Sequence, residues 1–337
     1  MNSKTSDWSD VSQHFTNYFA AVSVLAAMQL ELFTRLRDAP STYEELATDL
    51  AVDPRRLRML LTTLATSTGL VTITDGRVSN SAAAAQFLVK GEPQYMGGAH
   101  ELYSRLFAAV LPTADSIRTG IPQSARDWDT LPDDQLRSTL RGLNAGATGQ
   151  ARMIAREYDF GRLDTIVDVG GGGGGFAIGA CEVCPNLAVH VVERPRIARM
   201  AQDFVDAAGL TSRIKTVTHD IVASPLHEPY PAAVLRNLLQ VMSSEQAQRV
   251  VENVAASLRP NGEIFVIGQI LDDDLMGPPG AQGINLVFLN VYRDGEAYPE
   301  SSYRTWLTRA GFVDVQRKLL PGGLGNSLMT GRRAGSS

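Results

Sequence analysis

Asp168 sits near the end of an apolar, β-branched run, Thr165-Ile166-Val167-Asp168-Val169. Gly170 to Gly175 follow without a break, and then the apolar stretch Phe176-Ala177-Ile178. A strand, a glycine turn and a helix in that order bring bare backbone close to a ligand, because glycine turns sharply and has no Cβ in the way. A dinucleotide would seat its pyrophosphate on the helix N-terminus. A nucleoside cofactor without phosphates uses a similar turn differently. The Asp168 carboxylate repels a pyrophosphate and attracts a cation, so a sulfonium carrying an amino group fits better; a ligand-free flexible turn is the plain alternative. Gly170 and Gly172 are the expected backbone contacts. Glu193 ends the next run, Ala188 to Glu193, 23 residues beyond Gly170. A carboxylate there can accept from both ribose hydroxyls. Asp220, in Thr218-His219-Asp220-Ile221-Val222, offers an acceptor for an adenine amino group, with Ile221 as an apolar wall.

Two other clusters are weaker. Asp272-Asp273-Asp274 could suggest a metal, but three adjacent carboxylates after a strand suit a solvated loop. Cys181-Glu182-Val183-Cys184 has redox or zinc spacing without a second pair, which suits two packed thiols. No metal is expected.

The elements that must hold these residues change character along the chain. Val11, Phe15, Tyr18, Phe19, Val22, Leu25, Met28 and Leu32 recur at helical spacing. Ser41 or Thr42 can cap a helix, with a Glu three residues on from each. Asp53-Pro54 starts another helix, carrying Leu57, Leu60, Leu61 and Leu64. Leu70 to Thr74, Asp75-Gly76 and Arg77-Val78 read as two short strands around a tight turn. That succession is a winged-helix pattern. From Leu163 onward, short strands alternate with helical stretches: 165–169, 188–193, 214–217, 232–235 and 263–267. This predicts a mostly parallel sheet with helices on both faces.

Composition narrows the function. The 337 residues suffice for about two domains. Lys and Arg total 31 against 36 for Asp and Glu, a formal net charge of −5, which disfavours a nucleic-acid binder despite Arg55, Arg56 and Arg58 on one helix. No run of ~18 apolar residues spans a membrane. The residues from Met1 to Trp8 lack the apolar core of a secretory signal, and two cysteines suit a reducing compartment, so a cytoplasmic location is expected. The apolar N-terminal helices need a covering surface, and a second copy of the chain is the simplest one.

These residues resemble the S-adenosylmethionine-dependent O-methyltransferases of small-molecule metabolism. These are dimeric enzymes with an N-terminal winged-helix dimerisation domain and a C-terminal Rossmann-like catalytic domain. The resemblance lies in Tyr43 to Ala47 through Gly69-Leu70-Val71, Asp168 to Gly173, His219-Asp220-Ile221, Leu258 to Glu263, and Tyr303 to Leu307 followed by Ala310-Gly311-Phe312. It implies a dimerisation domain over 1–100, connecting helices over 101–160 and a catalytic domain over 161–333. It further implies S-adenosylmethionine without metal, a homodimer, a small secondary metabolite as substrate, and Arg236 beside the cofactor.

The family carries a histidine base after its fourth strand. Aligned through Arg236-Asn237 and Ser243-Ser244-Glu245, that place is Gln240. A carboxamide is no base near neutral pH, and none of His14, His100, His190, His219 and His227 stands there. Gln240 is therefore expected to orient the acceptor, with Glu296 near the family's orienting glutamate. Asn285 and Asn290 lie on the helix that lines the family's substrate pocket; their spacing of five lets at most one point in. The acceptor is oxygen, carbon or nitrogen. The alternatives are a cofactor-binding member doing hydroxylation or a pericyclic step, and a winged-helix regulator.

Overall fold

The computed structural model describes residues 8–92, 94–96, 100–125, 127–322 and 325–335; residues 1–7, part of the segment read for an export signal, lie outside the described residues. No helix among the described residues is long and apolar enough to cross a membrane. The chain divides into two compact units, Met1–Ser104 and Arg105–Ser337.

The first unit runs α1 (Trp8–Thr16), α2 (Tyr18–Gln29), α3 (Leu32–Arg35), β1 (Ser41–Thr42), α4 (Tyr43–Asp49), α5 (Pro54–Thr68), β2 (Val71–Thr74), β3 (Arg77–Asn80) and α6 (Ala82–Phe87), with α7 (His100–Val110) crossing its boundary. The single helical pattern expected at the N-terminus is broken: Glu31 takes a left-handed φ of 52° between α2 and α3. Thr42 caps α4 in a reciprocal box with Glu45, and the Asp53 carboxylate accepts from the Arg56 N–H at 2.8 Å. Asp75 and Gly76, both at positive φ, turn β2 into β3, and β1 completes a three-stranded sheet in the order β1-β3-β2. Leu32, Phe33, Leu46, Leu61 and Leu64 fill its core. Val11, Phe15, Tyr18, Phe19 and Val22 are exposed, so α1 and α2 turn an apolar face outwards.

The second unit adds α8 (Thr113–Thr119), α9 (Asp133–Glu157), β4 (Thr165–Val169), α10 (Gly175–Val183), β5 (Ala188–Glu193), α11 (Pro195–Ala207), β6 (Ile214–Thr218), β7 (Tyr230–Arg236), α12 (Ser244–Ala256), β8 (Leu258–Gln269), α13 (Ile284–Val291), α14 (Glu300–Arg309), β9 (Phe312–Leu319) and β10 (Asn326–Arg333). Its seven strands lie in the order β6-β5-β4-β7-β8-β10-β9. The first five are parallel, and β10 pairs antiparallel with β8 and β9. The mixed α/β architecture with a mostly parallel sheet is the one expected. The β9–β10 edge pair has no counterpart among the expected strands: Val313 to Leu319 mixes charged with apolar residues, as an exposed edge allows. One core packs Ile166, Val189 and Val191 against Ala151, Phe176 and Ala177; the other packs Val167, Val169 and Leu235 against Val250, Val254 and Trp306. Because β5 and β7 flank β4, the chain leaves β4 in both directions. The crevice at the strands' C-terminal ends is where such sheets bind ligands.

Candidate active site

Asp168 is paired on both sides in the middle of the sheet, opposite Val191 and Val234. It has 0% exposure, and no side chain among the described residues donates a hydrogen bond to its carboxylate; the backbone N–H of Ala177 is a donor that favours the charged form. Burial pushes its pKa from 3.8 up to about 7, opposed by the attraction of Arg236 and assisted by repulsion from Glu193. The glycine turn lies directly over it, since a Cβ on Gly171 would stand 2.6 Å from Asp168 Oδ2.

The turn is held from both sides. Gly172, at a φ of +58°, donates its N–H to Glu193 Oε1 at 3.0 Å, and the Arg194 N–H donates to Glu193 Oε2 at 3.0 Å. Burial raises the Glu193 pKa, and these two backbone donors oppose the rise. On the other side, Asn144 of α9 donates from Nδ2 to the Gly173 carbonyl at 2.9 Å and accepts at Oδ1 from the Gly175 N–H at 3.1 Å. Thr148 donates to the Gly175 carbonyl at 3.1 Å. A Cβ at Gly175 would stand 2.6 Å from the Asn144 Cα, so glycine is what lets α10 start against α9.

At the end of β6 the His219 N–H donates to the Glu193 carbonyl at 3.1 Å, which ties the Asp220 segment to the end of β5. Asp220 is exposed and accepts from the Val222 N–H at 2.9 Å, while Ile221 is buried. Arg236, at the end of β7, donates from Nε to Gln150 Oε1 at 2.7 Å. Asp168, Gly170, Gly172, Glu193, Asp220, Ile221 and Arg236 thus lie at or just beyond the C-terminal ends of the neighbouring strands β4, β5, β6 and β7.

Gln240 lies in a 3₁₀ turn, Leu239–Val241, at 3% exposure. Its Nε2 donates to Gln269 Oε1 at 2.6 Å and to Asn237 Oδ1 at 3.4 Å, and its Oε1 accepts from the Gln269 N–H at 3.0 Å. Gln269 Nε2 in turn donates to Asn326 Oδ1 at 2.7 Å. The amide expected to orient an acceptor is therefore engaged in a buried chain linking the ends of β7, β8 and β10. A Cβ on Gly295 would stand 2.7 Å from the Gln240 carbonyl oxygen, which brings the exposed Glu296 next to that turn. Asn285 is half-buried and accepts from the Ala297 N–H at 2.7 Å.

Asn290, expected as a possible substrate contact, sits elsewhere. It has 0% exposure, donates to Thr113 Oγ1 at 2.8 Å and to the Leu286 carbonyl at 2.7 Å, and accepts from Ser116 Oγ at 2.6 Å. With both donors filled and no accessible surface, it braces α13 against α8.

The remaining motifs are used locally. Asp272 pairs with Arg317 at 2.7 Å, Asp273 accepts from the Ser301 N–H at 2.8 Å, and Asp274 accepts from the Met276 N–H at 2.9 Å. Both cysteines are buried free thiols, and burial raises Cys181 to about 11. His219 Nε2 lies 2.8 Å from the Ser224 carbonyl. Asn144, Thr148 and Gln150 escaped sequence reasoning because the span 101–160 reads only as connecting helix. The readable signal was the i, i+4 spacing of Asn144 and Thr148, which sets two polar side chains on one face.

A family model described as an O-methyltransferase domain matches residues 128–313, and one described as an O-methyltransferase dimerisation domain matches residues 12–90. A protein of Streptomyces sahachiroi named 3-hydroxy-5-methyl-1-naphthoate 3-O-methyltransferase is 30% identical over 329 residues, 95% of this chain and 93% of its own. The tetracenomycin polyketide synthesis 8-O-methyl transferase of Streptomyces glaucescens is 24% identical over 318 residues, 93% of this chain and 94% of its own. The solved structure of human N-acetylserotonin methyltransferase in complex with SAM shares the fold at a TM-score of 0.81 and 20% identity, covering 99% of this chain and 100% of that one.

Proposed function

Since the chain belongs to the O-methyltransferase family, we propose that it moves a methyl group from S-adenosylmethionine to a hydroxyl of a small secondary metabolite. The observation that carries the cofactor is the buried Asp168 carboxylate, without a side-chain hydrogen-bond donor, beneath the glycine turn. A cation above the turn would relieve that charge, whereas a pyrophosphate would meet Asp168, Glu193 and Asp220 together. The name and the bound cofactor of the relatives support the same choice.

When bound, the cofactor supplies an electrophilic methyl; the rest is done by this chain. Gly170 and Gly172 let backbone approach. Each Glu193 oxygen takes one backbone N–H and keeps lone pairs for the ribose hydroxyls. Asp220 and Ile221 frame the base. Arg236 balances Asp168. Holding both reactants in near-attack geometry is worth roughly 7 to 11 kcal/mol, so an acceptor that is already acidic needs no protein base. Glu296 and Asn285, brought together by the Ala297 contact, are the proposed acceptor-side residues. Residues 161–333 form the catalytic domain, and residues 1–100 a winged-helix domain that builds a homodimer through the open apolar face of α1 and α2.

Gln240 works by position. Its amide carries no basic lone pair, and its hydrogen bonds fix the turn on which the acceptor rests. Gln240→Ala should lower kcat/KM by about 10²-fold or less, against the 10² to 10⁴ typical of losing a true base. Transfer of labelled methyl from S-adenosylmethionine to a panel of phenols, enols and amines tests both the reaction and the acceptor. Cofactor binding without transfer to any of them would sink the methyltransferase reading.

A further inference from the structure

Residues 127–133 form a strap that does not belong to any strand or to the glycine turn, yet two arginines beside Glu193 hold it. Arg196, on the first turn of α11, donates to the Trp128 carbonyl at 2.9 Å, to the Leu131 carbonyl and to Asp133 Oδ1 at 2.5 Å. Its side chain is only 19% exposed, so the two carbonyl contacts are shielded, whereas the Asp133 carboxylate, 79% exposed, leaves the ion pair screened by solvent. Arg194, immediately after Glu193, reaches Asp129 Oδ2 at 2.6 Å. The strap is also turned on itself, with the Thr130 and Leu131 N–H groups both donating to the Asp127 carbonyl at 3.1 Å.

Its apolar side chains complete a separate small core. Trp128 and Leu131 pack against Leu136, Leu140, Ile197 and Met200. Leu140 closes the distance to the glycine turn, lying 3.8 Å from where a Cβ on Gly172 would stand. The strap is thus linked to both ends of the Gly172–Glu193 hydrogen bond, through Leu140 at one end and Arg194 at the other.

We propose that Arg196 is a positioning residue for the cofactor: it fixes the 127–133 strap as a wall of the cofactor crevice and sets how fast cofactor and demethylated product leave. Arg194 is the weaker second tether. The inference rests on S-adenosylmethionine binding at the glycine turn. One guanidinium serves two carbonyls and a carboxylate together, a geometry that a lysine ammonium cannot reproduce.

The test uses the full-length protein and S-adenosylhomocysteine, with calorimetry for Kd and stopped-flow displacement for the dissociation rate. Arg196→Met should raise Kd about 10-fold, mainly through faster dissociation, and Arg196→Lys should fall between it and the wild type. The KM for cofactor should rise more than the KM for acceptor. Asp129→Ala, which removes only the exposed Arg194 tether, should speed dissociation by about 2- to 5-fold, and Arg196→Lys decides the matter if Arg196→Met fails to fold. An unchanged dissociation rate in the folded variants, or a lowered melting temperature with cofactor parameters unmoved, would overturn the proposal. Failure of the wild type to bind the probe would overturn the cofactor assignment itself.

Discussion

Exchanging Asp168 for Asn should stabilise the cofactor-free protein at pH 8, by up to about 4 kcal/mol. The sign follows from burial. Asp168 is fully enclosed, no side chain among the described residues donates to it, and burial outweighs Arg236 and the Ala177 N–H to raise its pKa from 3.8 to about 7. A carboxyl group that holds its proton more tightly when folded penalises the folded state as pH rises. The stability difference between Asp168→Asn and the wild type should therefore grow from about pH 4 to about pH 7 and level off above it. Urea unfolding across that range measures it. The same substitution should weaken cofactor binding, because the charge that destabilises the free protein is the one a bound cation compensates. A flat stability difference would mean that Asp168 is neutralised in another way. A variant both more stable and tighter-binding would remove Asp168 from the cofactor's electrostatics.

Replacing Glu193 by Ala should weaken S-adenosylmethionine binding by about 1.5 to 3 kcal/mol, roughly 10- to 150-fold. The carboxylate holds the Gly172 and Arg194 N–H groups, so its loss removes the ribose acceptors and loosens the turn together. Glu193→Gln keeps one acceptor oxygen and should fall between. Calorimetry showing unchanged affinity for Glu193→Ala would remove Glu193 from the ribose site.

The placement of the candidate cofactor residues was legible because the strand patterns are local: Asp168, Glu193, Asp220 and Arg236 lie at or just past the ends of β4, β5, β6 and β7. Parallel strands end on one edge of a sheet, so linear order becomes spatial proximity. The acceptor half was less legible. Asn285 and Asn290 are equally polar on one short helix, and only packing against α8 shows that Asn290 is internal. The residue type at 240 led to the expectation of a missing base, but nothing local announced that Gln269 and Asn326 would engage its amide. Asn144 and Arg196 make contacts 31 and 65 residues distant in sequence, to the glycine turn and to Leu131. Sequence patterning registers periodicity and motif, and such long-range single side chains have neither.

Methyl transfer from S-adenosylmethionine without a histidine base is what distinguishes the proposed reaction. A single-turnover pH–rate profile with labelled cofactor and a phenolic acceptor tests it most directly. The expected result is label in the acceptor, a rate that follows the acceptor's own ionisation, and no inflection at ~6.5, the value of an unperturbed imidazole. A histidine-like inflection abolished by substitution of His219 or His227, or no transfer at any pH, would contradict it.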